Sequence, residues 1–164
     1  LEFANNNDIE SIREYLKNLM ESENMIGSRV KYCGNMTVNT VLSVYEKQAR
    51  EMDIGVKISA NVSRNLEVLP QDLVIVIANL FENAINATSK LKVKDKCINI
   101  HIKDTAQRLL IKVENPCKAN LTVDETLYGV GIRSVISTTN KYEGMYDFTA
   151  DGGIFCAKIS LNLM

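Results

Sequence analysis

A two-layer α/β sandwich, with helices on one face of a mixed sheet, follows from three features of the 164-residue sequence. Apolar residues recur at spacings of three and four in some segments and alternate in others, so helices and strands are both present. Their order reads helix, helix, strand, helix, strand, strand, loop, helix, strand, strand. Neighbouring strand pairs do not suit a doubly wound parallel sheet, and a mixed sheet covered on one side accommodates them. Finally, 46% hydrophobic and 24% charged residues are ordinary for a soluble globular chain long enough to bury one core.

Residues 6–25 carry Ile9, Ile12, Tyr15, Leu16 and Leu19 at helical spacing, with Asn7 or Asp8 placed to cap the start. Such a stripe at a domain edge needs a partner: the domain itself, a further helix, or a second copy of the chain. A second helix is expected over 36–53, where Val38, Val41, Leu42, Tyr45 and Ala49 line up, with Gly55 just past its end as helix C-termini prefer. Val56, Ile58, Ala60 and Val62 then alternate as a strand. Pro70 opens a third helix, 71–89. Its stretch from Leu73 to Ala78 is apolar all round, which marks a buried helix. Strands follow at Ile98, Ile100, Ile102 and at Leu109, Ile111, Val113, joined by a hairpin through 104–108. Residues 116–128 have no sustained period and read as a loop. A helix over 131–140 carries Ile132, Val135 and Ile136. Two last strands, at Tyr146 and Phe148 and from Phe155 to Leu161, flank the tight-turn signal Asp151-Gly152-Gly153.

Composition also limits function. The net charge of −1 supplies no basic field for nucleic acid or an anionic membrane, so nucleic acid is not an expected partner. No apolar run approaches the ~20 residues that span a bilayer, and no signal peptide opens the chain. Leu1-Glu2-Phe3 lacks a Met and is expected to be the cut edge of a longer chain. Cys33, Cys97, Cys117 and Cys156 are scattered without a CxxC spacing, which points to reduced thiols rather than zinc. His101 is the single histidine. It lies in an alternating strand, read as a surface or packing position, with nothing nearby to make a triad.

Three features can carry chemistry. Asn79, Glu82, Asn83 and Asn86 stand at offsets 0, 3, 4 and 7 on one helix face. Their hard oxygen donors suit a hydrated Mg²⁺, and a plain exposed stripe gives the same pattern. Asn115 ends a buried-looking strand, where its carboxamide can read a purine edge or simply cap the strand. Gly129-Val130-Gly131 opens a helix, where backbone amides can meet phosphate or merely turn the chain.

Taken in order, these features resemble the GHKL ATPase superfamily, which shares the Bergerat ATP-binding fold. Asn79-Leu80-Phe81-Glu82-Asn83-Ala84-Ile85-Asn86-Ala87 looks like its N box. Leu109-Leu110-Ile111-Lys112-Val113-Glu114-Asn115 looks like the strand into the G1 box, and Tyr128-Gly129-Val130-Gly131-Ile132-Arg133-Ser134-Val135 like the G2 box. Cys33-Gly34-Asn35-Met36-Thr37-Val38-Asn39-Thr40-Val41-Leu42 is similar to a narrower branch, the histidine kinases that sense peptide pheromones in Gram-positive bacteria. The resemblance covers roughly 30–164 and leaves 1–29 as a helical segment, the tail of a dimerisation and phosphoacceptor region.

The resemblance implies ATP and Mg²⁺ as ligands. It makes Asn83 the main Mg²⁺ ligand, sets Asn79 near the phosphates and counts Asn86 with the nucleotide-binding residues. Glu82 takes the catalytic role, orienting water or polarising the reacting group. Asn115 faces adenine, 116–128 forms the ATP lid, and Gly129 and Gly131 admit the phosphates. The activity so implied is that of a protein histidine kinase in a two-component system, a transferase acting in quorum sensing. Its partners would be its own upstream dimerisation segment, a response regulator and, at full length, a second copy. Its place would be the cytoplasmic side of an integral membrane protein. No histidine precedes His101, so the phosphoacceptor is expected upstream of these residues. The sequence departs from the family at the G1 box, where Asn115-Pro116-Cys117-Lys118-Ala119 has neither of the usual glycines and Asn replaces Asp. This departure keeps a second expectation open, a degenerate, non-catalytic GHKL-like dimerisation or partner-binding module. A third, an anti-sigma-type serine kinase on the same fold, is disfavoured by the stretch 33–42.

Overall fold

The computed structural model describes residues 32–94 and 96–163. The helix expected over 6–25 and the boundary expected at 29/30 lie outside the described residues.

Helix α1, Met36–Glu51, starts where Asn35 accepts a hydrogen bond from the Val38 N–H at 3.1 Å, satisfying one of the orphan amides of a first turn. Its apolar stripe buries Val38, Val41, Leu42 and Ala49. The helix ends short of the expected residue 53. Asp53 takes the left-handed conformation, φ 56°, and its N–H bonds back to the Arg50 carbonyl. Asp53, not Gly55, therefore stops the helix; a short polar side chain tolerates that region better than most. Gly55 instead opens strand β1, Gly55–Asn61.

Helix α2, Pro70–Ser89, begins with proline in its first turn, where the missing N–H costs no hydrogen bond. It buries eleven residues, among them Leu73, Val76, Phe81 and Ile85. Phe81 is fully buried and stacks on Tyr45 of α1 with ring centroids 5.7 Å apart. Strands β2, Cys97–Asp104, and β3, Arg108–Pro116, form the expected hairpin, closed by Thr105 N–H donating to the Arg108 carbonyl at 2.8 Å. The following loop holds a 3₁₀ turn that periodicity did not reveal, Glu125–Leu127, capped by the Asp124 carboxylate. Helix α3, Val130–Lys141, leads to β4, Met145–Asp151, and β5, Ile154–Asn162. Gly152 and Gly153 between them both have positive φ, the backbone that a two-residue hairpin requires.

The five strands form one sheet in the order β1-β2-β3-β5-β4. Only β1 and β2 are parallel, because α2 crosses over between them. Ile98, Ile100, Ile102, Leu109, Ile111, Val113, Ala157, Ile159 and Leu161 are buried and recur at every second position of their strands, so the helices cover one face. This is the two-layer mixed sandwich expected from the sequence. On the open face Ser59, His101, Lys112, Lys158 and Asp147 stand in one cross-strand row.

Candidate functional site

The four polar residues of α2 lie on the strip that the core leaves uncovered. Asn79 and Asn83 are half-buried, while Glu82 and Asn86 are exposed, so the face is polar without the desolvation cost of full burial. Asn79 turns its Nδ2 back to donate to the Ile75 carbonyl at 2.7 Å. Its Oδ1 points instead to α3, where a Cβ on Gly131 would sit 2.7 Å from it. The third predicted motif is thereby brought against the first. Glycine at 131 is explained by this approach, since any side chain there displaces Asn79.

Gly129 differs. It is the N-cap of α3 with φ −72° and ψ 177°, extended backbone that any residue adopts, and a Cβ there would meet nothing within 4 Å. The open volume lies at the start of α3, which has no side-chain cap. The first-turn amides are left to carry the positive end of the helix dipole, an arrangement suited to anions. Arg133, in that first turn, donates its Nε to the Tyr128 carbonyl at 2.9 Å and adds positive charge that spacing did not single out.

Asn115 is 3% exposed at the end of β3, on the helix-facing side of the sheet. Its Nδ2 donates to the Pro116 carbonyl at 2.8 Å. One Nδ2–H is thus engaged and Oδ1 is left as an acceptor, the polarity needed to receive an amino group. Pro116 pairs only with Ile154 of β5, and pairing with β2 stops at Asn99↔Glu114, because proline has no N–H to extend that ladder. Cys117 N–H then donates to the Gly153 carbonyl at 2.8 Å and pins the start of the loop.

Asn83 provides the test for a metal–phosphate ligand. Its Nδ2 is buried with no hydrogen-bond partner, and an orphaned polar atom of this kind calls for an explanation. A hydrated cation with phosphate oxygens supplies one. The carboxamide oxygen would be a hard ligand for the cation, held beside the orphaned N–H₂. The donor set of Asn79, Glu82 and Asn83 fits such a group.

Two features escaped sequence reasoning. Asp72, 5% exposed, accepts from Lys141 Nζ at 2.7 Å and from the Tyr142 hydroxyl at 2.6 Å, while Tyr142 Oη accepts from Leu69 N–H at 3.0 Å. This tie fixes α3 against the start of α2 and so holds Gly131 at Asn79. Burial, then the bond to Asp72, pushes the Tyr142 phenol above its ordinary value; the Asp72 bond raises the Lys141 ammonium. Where the chain enters α1, Asn39 Oδ1 accepts from the N–H groups of Tyr32 and Cys33, and its Nδ2 donates to the Cys33 carbonyl. These contacts, with the Asn35 cap, account for the asparagines of the stretch 33–42.

The GHKL domain family matches residues 68–162, more than half of the chain, and the chain belongs to that family. Comparison with the curated proteins finds no similar sequence. Among solved structures, the catalytic domain of histidine kinase ThkA in a nucleotide-free form is similar at TM-score 0.63 and 16% identity, over 77% of this chain and 90% of that one. Histidine kinase AdeS of Acinetobacter baumannii is similar at TM-score 0.65 and 16% identity, over 94% and 76%. The mycobacterial sensor histidine kinase MprB gives 0.57 and 11%, over 77% and 92%. At such identities these likenesses establish the shared fold.

Proposed function

We propose that this chain is the ATP-binding catalytic domain of a two-component sensor histidine kinase, which positions the γ-phosphoryl of ATP for transfer to a histidine supplied by another segment. The observation that carries this reading is the meeting of Asn79 with Gly131 beside the uncapped start of α3, since it gathers oxygen donors and anion-binding amides in one place. Asn83 would hold Mg²⁺, with Asn79 beside the phosphates and Asn86 at the rim. Mg²⁺ neutralises charge on the phosphoryl oxygens when bound. The chain's own residues do the rest by placement and fixed dipoles. Asn115 presents its oxygen to the adenine amino group. Gly129 and the α3 amides face the phosphates. Glu82, exposed on the same strip, reaches outward to the incoming imidazole and polarises it.

The acceptor is not His101. That side chain is exposed on the open face of the sheet, in register with Lys112, whereas Asn79, Asn83 and Asn115 lie on the helix side. An acceptor from an upstream dimerisation segment, two copies in the intact kinase and a response regulator downstream complete the reading. No helix among the described residues is long and apolar enough to cross a membrane; membrane anchoring and a cytoplasmic position for this domain belong to the proposal. So does the pheromone-sensing branch, supported by the asparagine bracket of 33–42. A second reading, a non-catalytic partner-binding module, is favoured by one observation, the G1 segment Asn115-Pro116-Cys117. Adding γ-labelled ATP and Mg²⁺ to this domain together with the histidine-bearing segment of the intact kinase separates the two. The catalytic reading predicts label on that segment and none on this domain, with the rate falling roughly 100-fold in Glu82→Gln. ATP bound but no label transferred supports the module.

A further inference from the structure

The loop that opens at Cys117 closes on a row of aromatic rings. Tyr128 meets Phe148 of β4 edge-on, with centroids 5.5 Å apart and planes at 75°. Phe148 lies nearly parallel to Phe155 of β5 at 6.3 Å and 10°. Phe155 in turn pairs in register with Asn115. The row therefore runs from the cross-strand neighbour of Asn115 to the residue before Gly129. Phe148 is buried and fixed by the sheet, so it is the anchor and Tyr128 the attached end. Among the described residues, Leu121 N–H to Lys118, Thr126 to Asp124 and Tyr128 N–H to Glu125 stay within the loop, and Arg133 Nε to the Tyr128 carbonyl joins its second end to α3 but not to the sheet. The Tyr128 ring is thus what ties the loop's second end to the sheet, as the Cys117–Gly153 bond ties the first.

We propose that Tyr128 is a positioning residue for the phosphate end of the nucleotide. Its ring, seated on Phe148, sets where Gly129 and the first-turn amides of α3 stand, and through Phe155 it links that placement to the base held at Asn115. This rests on the ATP reading above. An edge-to-face ring pair is worth a few-fold in an equilibrium, and here the gain appears only for ligands that reach the amides.

The test compares Mg²⁺–ATP with adenosine, which shares the base site and lacks phosphate. Affinities are measured for the unsubstituted chain, Tyr128→Ala and Tyr128→Phe. Tyr128→Ala is expected to weaken ATP by roughly 3- to 10-fold and to leave adenosine within about twofold, while Tyr128→Phe matches the unsubstituted chain. Phe148→Leu, which keeps an apolar side chain beneath residue 128, gives the same split and keeps the test decisive if Tyr128→Ala does not fold. Equal losses for ATP and adenosine, or unchanged ATP affinity, overturn the proposal. An unsubstituted chain that binds adenosine but gains nothing from the phosphates overturns it too, and one that binds neither ligand removes the ATP reading along with it.

Discussion

Gly129 and Gly131 look equivalent in the sequence and are not equivalent in the structure. At 131 a methyl group would press on a side-chain oxygen, Asn79 Oδ1, which can swing away, and alanine suits a helix better than glycine by about 1 kcal/mol. Gly131→Ala is therefore expected to keep or raise stability while weakening Mg²⁺–ATP binding, because Asn79 is displaced; denaturant unfolding and nucleotide titration check the two halves. Gly129→Ala meets no protein atom, so its cost in stability is the poorer N-cap preference of alanine, about 1 kcal/mol, and any larger effect appears in phosphate binding. The polar strip of α2 was legible residue by residue, because a 3.6-residue period fixes which side chains share a face. Asp72 was not. Only tertiary contact makes it the acceptor for Lys141 and Tyr142, 69 and 70 residues away.

That tie belongs to the scale of elements, since it holds α3 to α2. Tyr142→Phe leaves Asp72 its lysine but strips one donor from the carboxylate and the acceptor from Leu69 N–H. A loss of about 1–2 kcal/mol follows, measurable by urea unfolding at neutral pH. The pH dependence has a definite sign. A phenol whose folded pKa is raised contributes stability in full below the ordinary tyrosine value near 10. That contribution is lost as pH rises through the folded value. The unsubstituted chain should therefore lose stability faster than Tyr142→Phe on the alkaline side, the two curves converging. Strands and helices were legible because their apolar periods differ, and each described element stands within a few residues of its expected span. The end of α1 was misplaced because Asp53, rather than a glycine, takes the left-handed conformation. The 3₁₀ turn at Glu125–Leu127 was missed because three residues are too few to show a period.

At the scale of the molecule, the sheet separates two chemistries. Its helix side carries the oxygen donors, the open start of α3 and Asn115; its open side carries His101 and the lysine row. The sequence supplied the residues of both sides but not their separation, which depends on strand order and register. His101→Gln should accordingly leave ATP binding and phosphotransfer to a supplied histidine unchanged, and labelled-ATP assays with the variant check it. On the reading proposed above, the α2 strip and the start of α3 form one Mg²⁺–nucleotide site. Calorimetric titration with ATP, with and without Mg²⁺, for the unsubstituted chain and Asn83→Ala tests it most directly. Because Asn83 Nδ2 is buried and unpaired, its removal should not lower stability, so a binding loss reports the site itself. Binding should depend on Mg²⁺ and fall at least roughly 10-fold in Asn83→Ala, the least that loss of even a group supporting a metal ligand costs. Equal binding by the two proteins, or none at millimolar nucleotide, would contradict it.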